Sequence, residues 1–163
     1  MAITVYTYND KVLKNVTTDK WLKKAEPLDP YNPLGLPANT VRVRTSDGNA
    51  PSYMGQRPVY DTATLVTGTS DVYDVYISGT SFEFLLYGSS NVVNILGANT
   101  TGITNVNSMF FACNNVQSGA LALYQQMSSQ PVQPSNHSAT FANCGVNTTT
   151  GAAELAQIPS DWK

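Results

Sequence analysis

The stretch "ITNVNSMFFACNNV" (Ile103–Val116) decides how the chain is read. It holds Phe110 and Cys113, and the pattern Phe-x-x-Cys returns further along as Phe141 and Cys144 in "SATFANCGV" (Ser138–Val146). These are the two cysteines of the chain. Two copies at a period of about 20–50 residues mark stacked repeats, in which each unit buries one face against the next. A Phe and a Cys three apart on a helical turn share a face, and free Cys behaves as a small buried hydrophobe. Met109, Phe110, Cys113, Phe141 and Cys144 are therefore expected as the repeat core, with inert thiols. A Cys113–Cys144 disulfide stays open, since stacked copies can bring Cα atoms within about 5–6 Å.

Around this pair the pattern gives elements in alternation. "ITVYTY" (Ile3–Tyr8) and "KVLKNV" (Lys11–Val16) read as a hairpin across Asn9–Asp10. "DKWLKK" (Asp19–Lys24) reads as a short strand or a single helical turn. Four prolines in residues 25–38 mark an extended linker lying on a surface. Asn39–Asn49 reads as a strand with Val41 and Val43 on one face and Arg42 and Arg44 on the other. Ala63–Gly68, Asp71–Gly79 and Val92–Leu96 are further strands. Short helices are expected at Ser81–Gly88, at about Asn105–Cys113 and at Asn136–Gly145, with Gly145 as C-cap. Ser118–Gln130 reads as an amphipathic helix, and Thr148–Trp162 as a closing helix stopped by Pro159.

The fold class expected is α+β: a small N-terminal antiparallel β module, then a short leucine-rich-repeat-like strand/helix solenoid with a helical C-terminal cap. The expected organisation is an N-terminal β attachment region (1–24), a Pro-rich linker (25–38), a β-rich region (39–89) and a repeat domain (90–163).

Of 163 residues 42% are hydrophobic, enough for a core, and only 12% are charged. The polar surface must come from Asn, Ser, Thr and Gln. Residues 1–57 carry eight basic against five acidic side chains, net +3, and the remainder one against six, net −5. Lys11, Lys14, Lys20, Trp21, Lys23, Lys24, Arg42 and Arg44 are the candidates for docking onto an acidic partner surface. Neither half has the dense basic face that nucleic acid needs. No window reaches the ~18 apolar residues of a membrane span. The N-terminal residues lack the n- and h-regions of a secretory signal.

Chemistry is scarce. Zinc takes about four close ligands, and two cysteines far apart in the chain with one His137 do not supply them. Cys144 and His137 carry no diagnostic protease spacing, so His137 reads as a surface or capping residue. The carboxylates are scattered, and no phosphate loop, dinucleotide fingerprint or nucleophile elbow occurs. No catalytic residue, metal or cofactor is expected. Tyr73, Tyr76 and Tyr87 are candidate ligand-binding residues, because exposed Tyr among Asn, Ser and Thr suits recognition of sugars or proteins; alternate tyrosines covering a strand face would read the same way.

"ITNVNSMFFACNNV" resembles the repeats of the BspA-like leucine-rich repeat family, with their Met-Phe-x-x-Cys core after a Val-x-x-Met spacing. "VNILGANTTG" looks like the strand and loop of the same unit, and "HSATFANCGVNTTTGAAELAQIPSDW" like a degenerate terminal repeat and cap. The resemblance covers roughly residues 90–162. It implies a surface protein of Bacteroides-type bacteria or a virion or fibre protein of gut bacteriophages. "YNPLGLPANTVRVRTSDGNAP" (Tyr31–Pro51) resembles the segment before the repeats in such phage proteins. The expectation is a non-enzymatic structural or display protein of a bacteriophage virion, in a head or tail fibre or a capsid decoration. It would be made in the host cytoplasm and exposed on the virion surface. Its partners would be other virion proteins, further copies of itself, and a host surface glycan or protein, without nucleic acid or membrane insertion. The alternative is a bacterial cell-surface adhesin.

Overall fold

The computed structural model describes residues 29–54 and 59–163, with the backbone of Thr7–Tyr8 and Lys11–Val12. Those two short strands, β1 and β2, pair antiparallel with Thr7 opposite Val12 and Tyr8 opposite Lys11, the register of the expected hairpin. The remainder of the attachment region, with Lys14, Lys20, Trp21, Lys23 and Lys24, lies outside the described residues.

Four strands build the main sheet: β3 (Thr40–Thr45), β4 (Thr62–Leu65), β5 (Val72–Tyr76) and β6 (Val92–Ala98). Their order is β4-β5-β3-β6 and every pair is antiparallel. Val41 and Val43 are fully buried, and Arg42 and Arg44 point the other way, as the alternation requires. Helices α1 (Ala120–Ser128) and α2 (Thr149–Gln157) follow, and a 3₁₀ turn at Ser160–Trp162 ends the chain. The architecture is α+β.

The three short helices expected at Ser81–Gly88, Asn105–Cys113 and Asn136–Gly145 are not helices. Each is a run of tight turns closed by bonds from residue i to i−3. Leu85, Tyr87 and Ser89 N–H donate to Phe82, Phe84 and Leu86 C=O; Met109, Phe111 and Cys113 repeat this on Val106, Ser108 and Phe110. Thr140, Ala142 and Cys144 repeat it again on His137, Ala139 and Phe141. The intervening N–H groups point sideways into the next run. Phe82, Phe84, Leu86 and Gly88 donate to Asn105, Asn107, Met109 and Phe111 C=O, and Val106, Ser108, Phe110 and Ala112 donate to Asn136, Ser138, Thr140 and Ala142 C=O. A helix would spend those donors within its own segment; here they tie one segment to its neighbour.

This alternation needs left-handed backbone twice per segment. It falls at Phe84 and Gly88, at Ser108 and Ala112, and at Ala139 and Asn143, with φ between +54° and +66°. A non-glycine residue there costs roughly 1–2 kcal/mol, so five such residues stand only because packing over-determines them. Among the described residues the stack therefore has three segments, joined by the parallel bridges Ser81–Asn105 and Asn105–Asn136. The first step between segments is the shorter one. The first copy was hidden in sequence because Ser89 stands where the others have Cys113 and Cys144.

Aligned side chains form buried columns: Leu86, Phe110 and Phe141, and beside them Ser89, Cys113 and Cys144, all at 0% exposure. Met109 is also fully buried. Phe110 and Phe141 stack at 5.9 Å. The same core takes in Val41, Val43 and Val75 from the sheet, Leu123 and Met127 from α1, and Ile158 and Trp162 from the C-terminus. Residues 39–89 and 90–163 thus share one core, with β3 paired to β5 on one edge and β6 on the other. The described part of the proline-rich stretch lies against the surface. Leu36 is buried, its C=O accepts from Asn99, and the Tyr31 C=O accepts from Gln126.

The amphipathic helix stands as α1, and the closing helix is shorter than expected. Its cap is Thr148, whose hydroxyl accepts from Gly151 N–H at 3.0 Å. Pro159 separates α2 from the terminal 3₁₀ turn.

Candidate functional site

The outer side of the stacked segments carries a row of aromatic rings. Tyr87 on the first segment and Phe111 on the second are aligned by the bond from Gly88 N–H to Phe111 C=O. Their rings lie 4.9 Å apart and within 5° of parallel. Phe84, 38% exposed despite its size, meets Tyr87 edge-on at 5.7 Å, and Tyr53 tilts against it at 6.1 Å. Tyr53 is brought there by the strap at residues 51–54, where Met54 N–H donates to Tyr87 C=O and the Ser89 hydroxyl donates to Ser52 C=O. Gly88 is glycine for a reason: a Cβ there would lie 2.2 Å from the Met54 Cβ.

Polar groups edge this row. Glu83 accepts from the side-chain amides of Asn105 and Asn107 at 3.1 and 3.2 Å. Along the opposite edge, Asn115 donates to Ser90 C=O, and Asn147 donates to Asn115. These bonds run across the stack and fix the spacing of the segments, so the aromatic row sits on a rigid base.

Of the tyrosines expected to bind a ligand, Tyr87 is at the centre of this row. Tyr73 and Tyr76 are on β5, and neither is among the rings that pair with Tyr87. Tyr73 packs against the core and donates its hydroxyl to Gly48 C=O at 2.7 Å, while Tyr76 is exposed. Phe84, Phe111 and Tyr53 carry no signal of this place in the sequence. Phe84 and Phe111 sit beside core residues in sequence, and helical spacing does not separate the two sides of a turn run.

Of the docking candidates, Arg42 and Arg44 are already engaged. Arg42 Nε and Nη2 donate to the two Asp74 oxygens at 2.6 and 2.8 Å, and this hydrogen bonding holds its guanidinium pKa above the ordinary value. Arg44 pairs with Asp71 at 3.2 Å. Their charge is balanced within the sheet. The side chain of Lys11 is outside the described residues.

The thiols are free and sealed. Burial pushes Cys113 up to about 12, and its Sγ donates to Leu86 C=O at 2.9 Å. Burial also pushes Cys144 well above its ordinary value. A thiolate nucleophile needs the opposite environment, electropositive and accessible. His137 does not face Cys144 as a partner. It stacks on Trp162 at 4.3 Å, with Nδ1 at 3.1 Å from Pro134 C=O and Nε2 at 3.3 Å from Asp161. That is a clasp for the C-terminus.

One further concavity, an open groove of about 360 Å³, runs between β6, α1 and the proline stretch, past Pro30, Pro33, Leu96, Gly97, Ala122 and Gln126. Among the described residues no titratable side chain lines it. The two Gln126 side-chain N–H groups are shared among Tyr31 C=O, Ala98 C=O and Thr100 Oγ1. Among the described residues no cluster of three His, Cys, Asp or Glu could hold a metal ion, and no helix is long and apolar enough to cross a membrane.

Comparison with protein-family models, with curated proteins and with solved structures finds no match to this chain.

Proposed function

We propose that this chain is a non-enzymatic structural and display protein of a bacteriophage virion, part of a head or tail fibre or a capsid decoration. Its N-terminal region docks to the particle, and its stacked segments face outward to bind the host surface. The fold proposed with it is a short leucine-rich-repeat-like array of the BspA type, three copies long and capped by α2 and the Trp162 clasp.

The observation that carries the reading is the surface aromatic row on a rigid base. Phe84, Tyr87 and Phe111 stand on the outside of a stack whose thiols, the one strong nucleophile class in it, are buried. Pre-ordered surface aromatics serve recognition. Display in many copies lets a weak single site hold firmly by avidity. The virion setting comes from the resemblance of Ile103–Val116 to BspA-type repeats.

The test is mass spectrometry of gradient-purified particles from a culture carrying the gene. The chain is expected to co-purify with the particles at a fixed copy ratio. Its absence from them overturns the virion assignment, and recovery in the bacterial envelope fraction would move the same module to a cell-surface adhesin.

A further inference from the structure

The aromatic column stops one position short. Tyr87 stacks on Phe111, and the aligned residue of the third segment is Ala142, set in register by the bond from Ala112 N–H to Ala142 C=O at 2.8 Å. The neighbouring column does the same, with Phe84 followed by Ser108 and Ala139 at equivalent left-handed positions. Among the described residues Phe111 has one ring partner, Tyr87, on one face. Phe111 is half-buried, and the next segment offers at the aligned and neighbouring places only the small, half-buried side chains of Ala142 and Ala139, with exposed Asn143 and Ser138 close in the chain.

We propose that this ledge, the place beside Phe111 where the third segment has Ala142 in place of a ring, is a binding site for a pyranose ring, which stacks on Phe111 as the third member of the Tyr87–Phe111 column. The proposal deepens the recognition reading above and rests on it. The shape and chemistry fit that occupant. The ledge is one ring thick, because successive segments repeat at the spacing that sets Tyr87 against Phe111. Its wall is flat and apolar, like the C–H face of a pyranose, and its edge offers a neutral amide and a hydroxyl to the sugar hydroxyls. A polyproline peptide instead needs aromatic rings held apart to admit a proline. Here Tyr87 and Phe111 are closed on each other and leave no slot.

The test uses the full chain and saturation-transfer NMR against cellohexaose, chitohexaose, mannohexaose and galactohexaose, with a proline-rich peptide as comparator. At least one sugar is expected to receive transfer at its ring C–H protons. Phe111→Ala should weaken it by about tenfold, the loss of one stacked pair, and Phe111→Tyr should keep it. Ala142→Trp fills the ledge with a ring of the protein's own and should abolish binding while leaving the thermal midpoint in place, which guards against a misfolded Phe111→Ala. Failure of all four sugars, or binding indifferent to both disruptive variants, overturns the site. Binding of the peptide in their stead, lost in Phe111→Ala, overturns it in favour of a protein partner. A chain found in purified virions that binds no sugar ends this inference and leaves the display reading standing. Sugar binding by a chain absent from virions does the reverse.

Discussion

The rings of Phe110 and Phe141 lie 5.9 Å apart and within 3° of parallel, each fully buried and each from a different segment of the stack. They join the second and third segments from inside, as the backbone bonds join them from the flank. Phe110→Ala should cost about 3–5 kcal/mol, the range for a buried Phe that leaves a cavity. A double-mutant cycle with Phe110→Leu and Phe141→Leu should give a coupling of about 0.5–1.5 kcal/mol. Urea unfolding of Phe110→Ala and of the four proteins of the cycle measures both, and additivity would show that the two rings do not act together.

The two thiols should be silent in the folded protein. A thiol reagent such as dithionitrobenzoate is expected to find no reactive cysteine at neutral pH and two after denaturation. Burial favours the neutral thiol, so the folded chain keeps protons that the unfolded chain loses near pH ~8.5. This stabilisation is complete below that pH and falls as pH rises toward about 12, the Cys113 value. Cys113→Ser should flatten the alkaline loss of stability seen in melts between about pH 8 and pH 11, and an unchanged slope would refute the assignment.

Gly151 lies in the first turn of α2, where alanine is normally preferred by about 1 kcal/mol. A Cβ there would meet Val116 C=O at 2.1 Å and Gly145 Cα at 2.8 Å. Gly151→Ala should therefore destabilise, by about 1–3 kcal/mol, as overpacking does. A rise in the melting temperature would show that α2 can move off the stack.

The N-cap of helix α1 is Gly119, which has left-handed φ and no side chain to cap with. Glu154 of α2 takes that role, its two oxygens accepting from Gly119 and Leu121 N–H at 3.2 and 3.1 Å. Glu154→Ala should cost about 1 kcal/mol, and Glu154→Gln less, since one amide oxygen remains to accept. Denaturant titration of the three proteins checks the order.

Where an element is governed by its own residues, the chain announces it. The alternation in Thr40–Thr45 puts Val41 and Val43 inside, and the spacing of Leu121, Tyr124 and Met127 marks Ser118–Gln130 as amphipathic, though of these three only Met127 is fully buried, beside Leu123 and Ala120. The Phe-x-x-Cys pairs disclose two of the three stacked segments because they repeat outright. The first segment escaped because Ser89 replaces the cysteine and because the step from Ser81 to Asn105 is shorter than that from Asn105 to Asn136. All three read as helices in the sequence because residues three apart share a face both in a helical turn and in a run of i to i−3 turns. What separates the two is where the alternate N–H groups go, and that depends on the neighbouring segment.

The sequence by itself determined the local matters: which strands alternate, where proline and glycine interrupt, and that Phe110 and Phe141 occupy equivalent places. Tertiary structure decided the left-handed turns at Ser108, Ala112, Ala139 and Asn143, the capping of α1 by Glu154, and the gathering of Tyr53, Phe84, Tyr87 and Phe111 on one surface. The reason is physical. Each turn costs conformational energy alone and is repaid only when the adjacent segment accepts its N–H groups and covers its apolar side, and that segment is distant in the chain, as Asn136 is from Asn105.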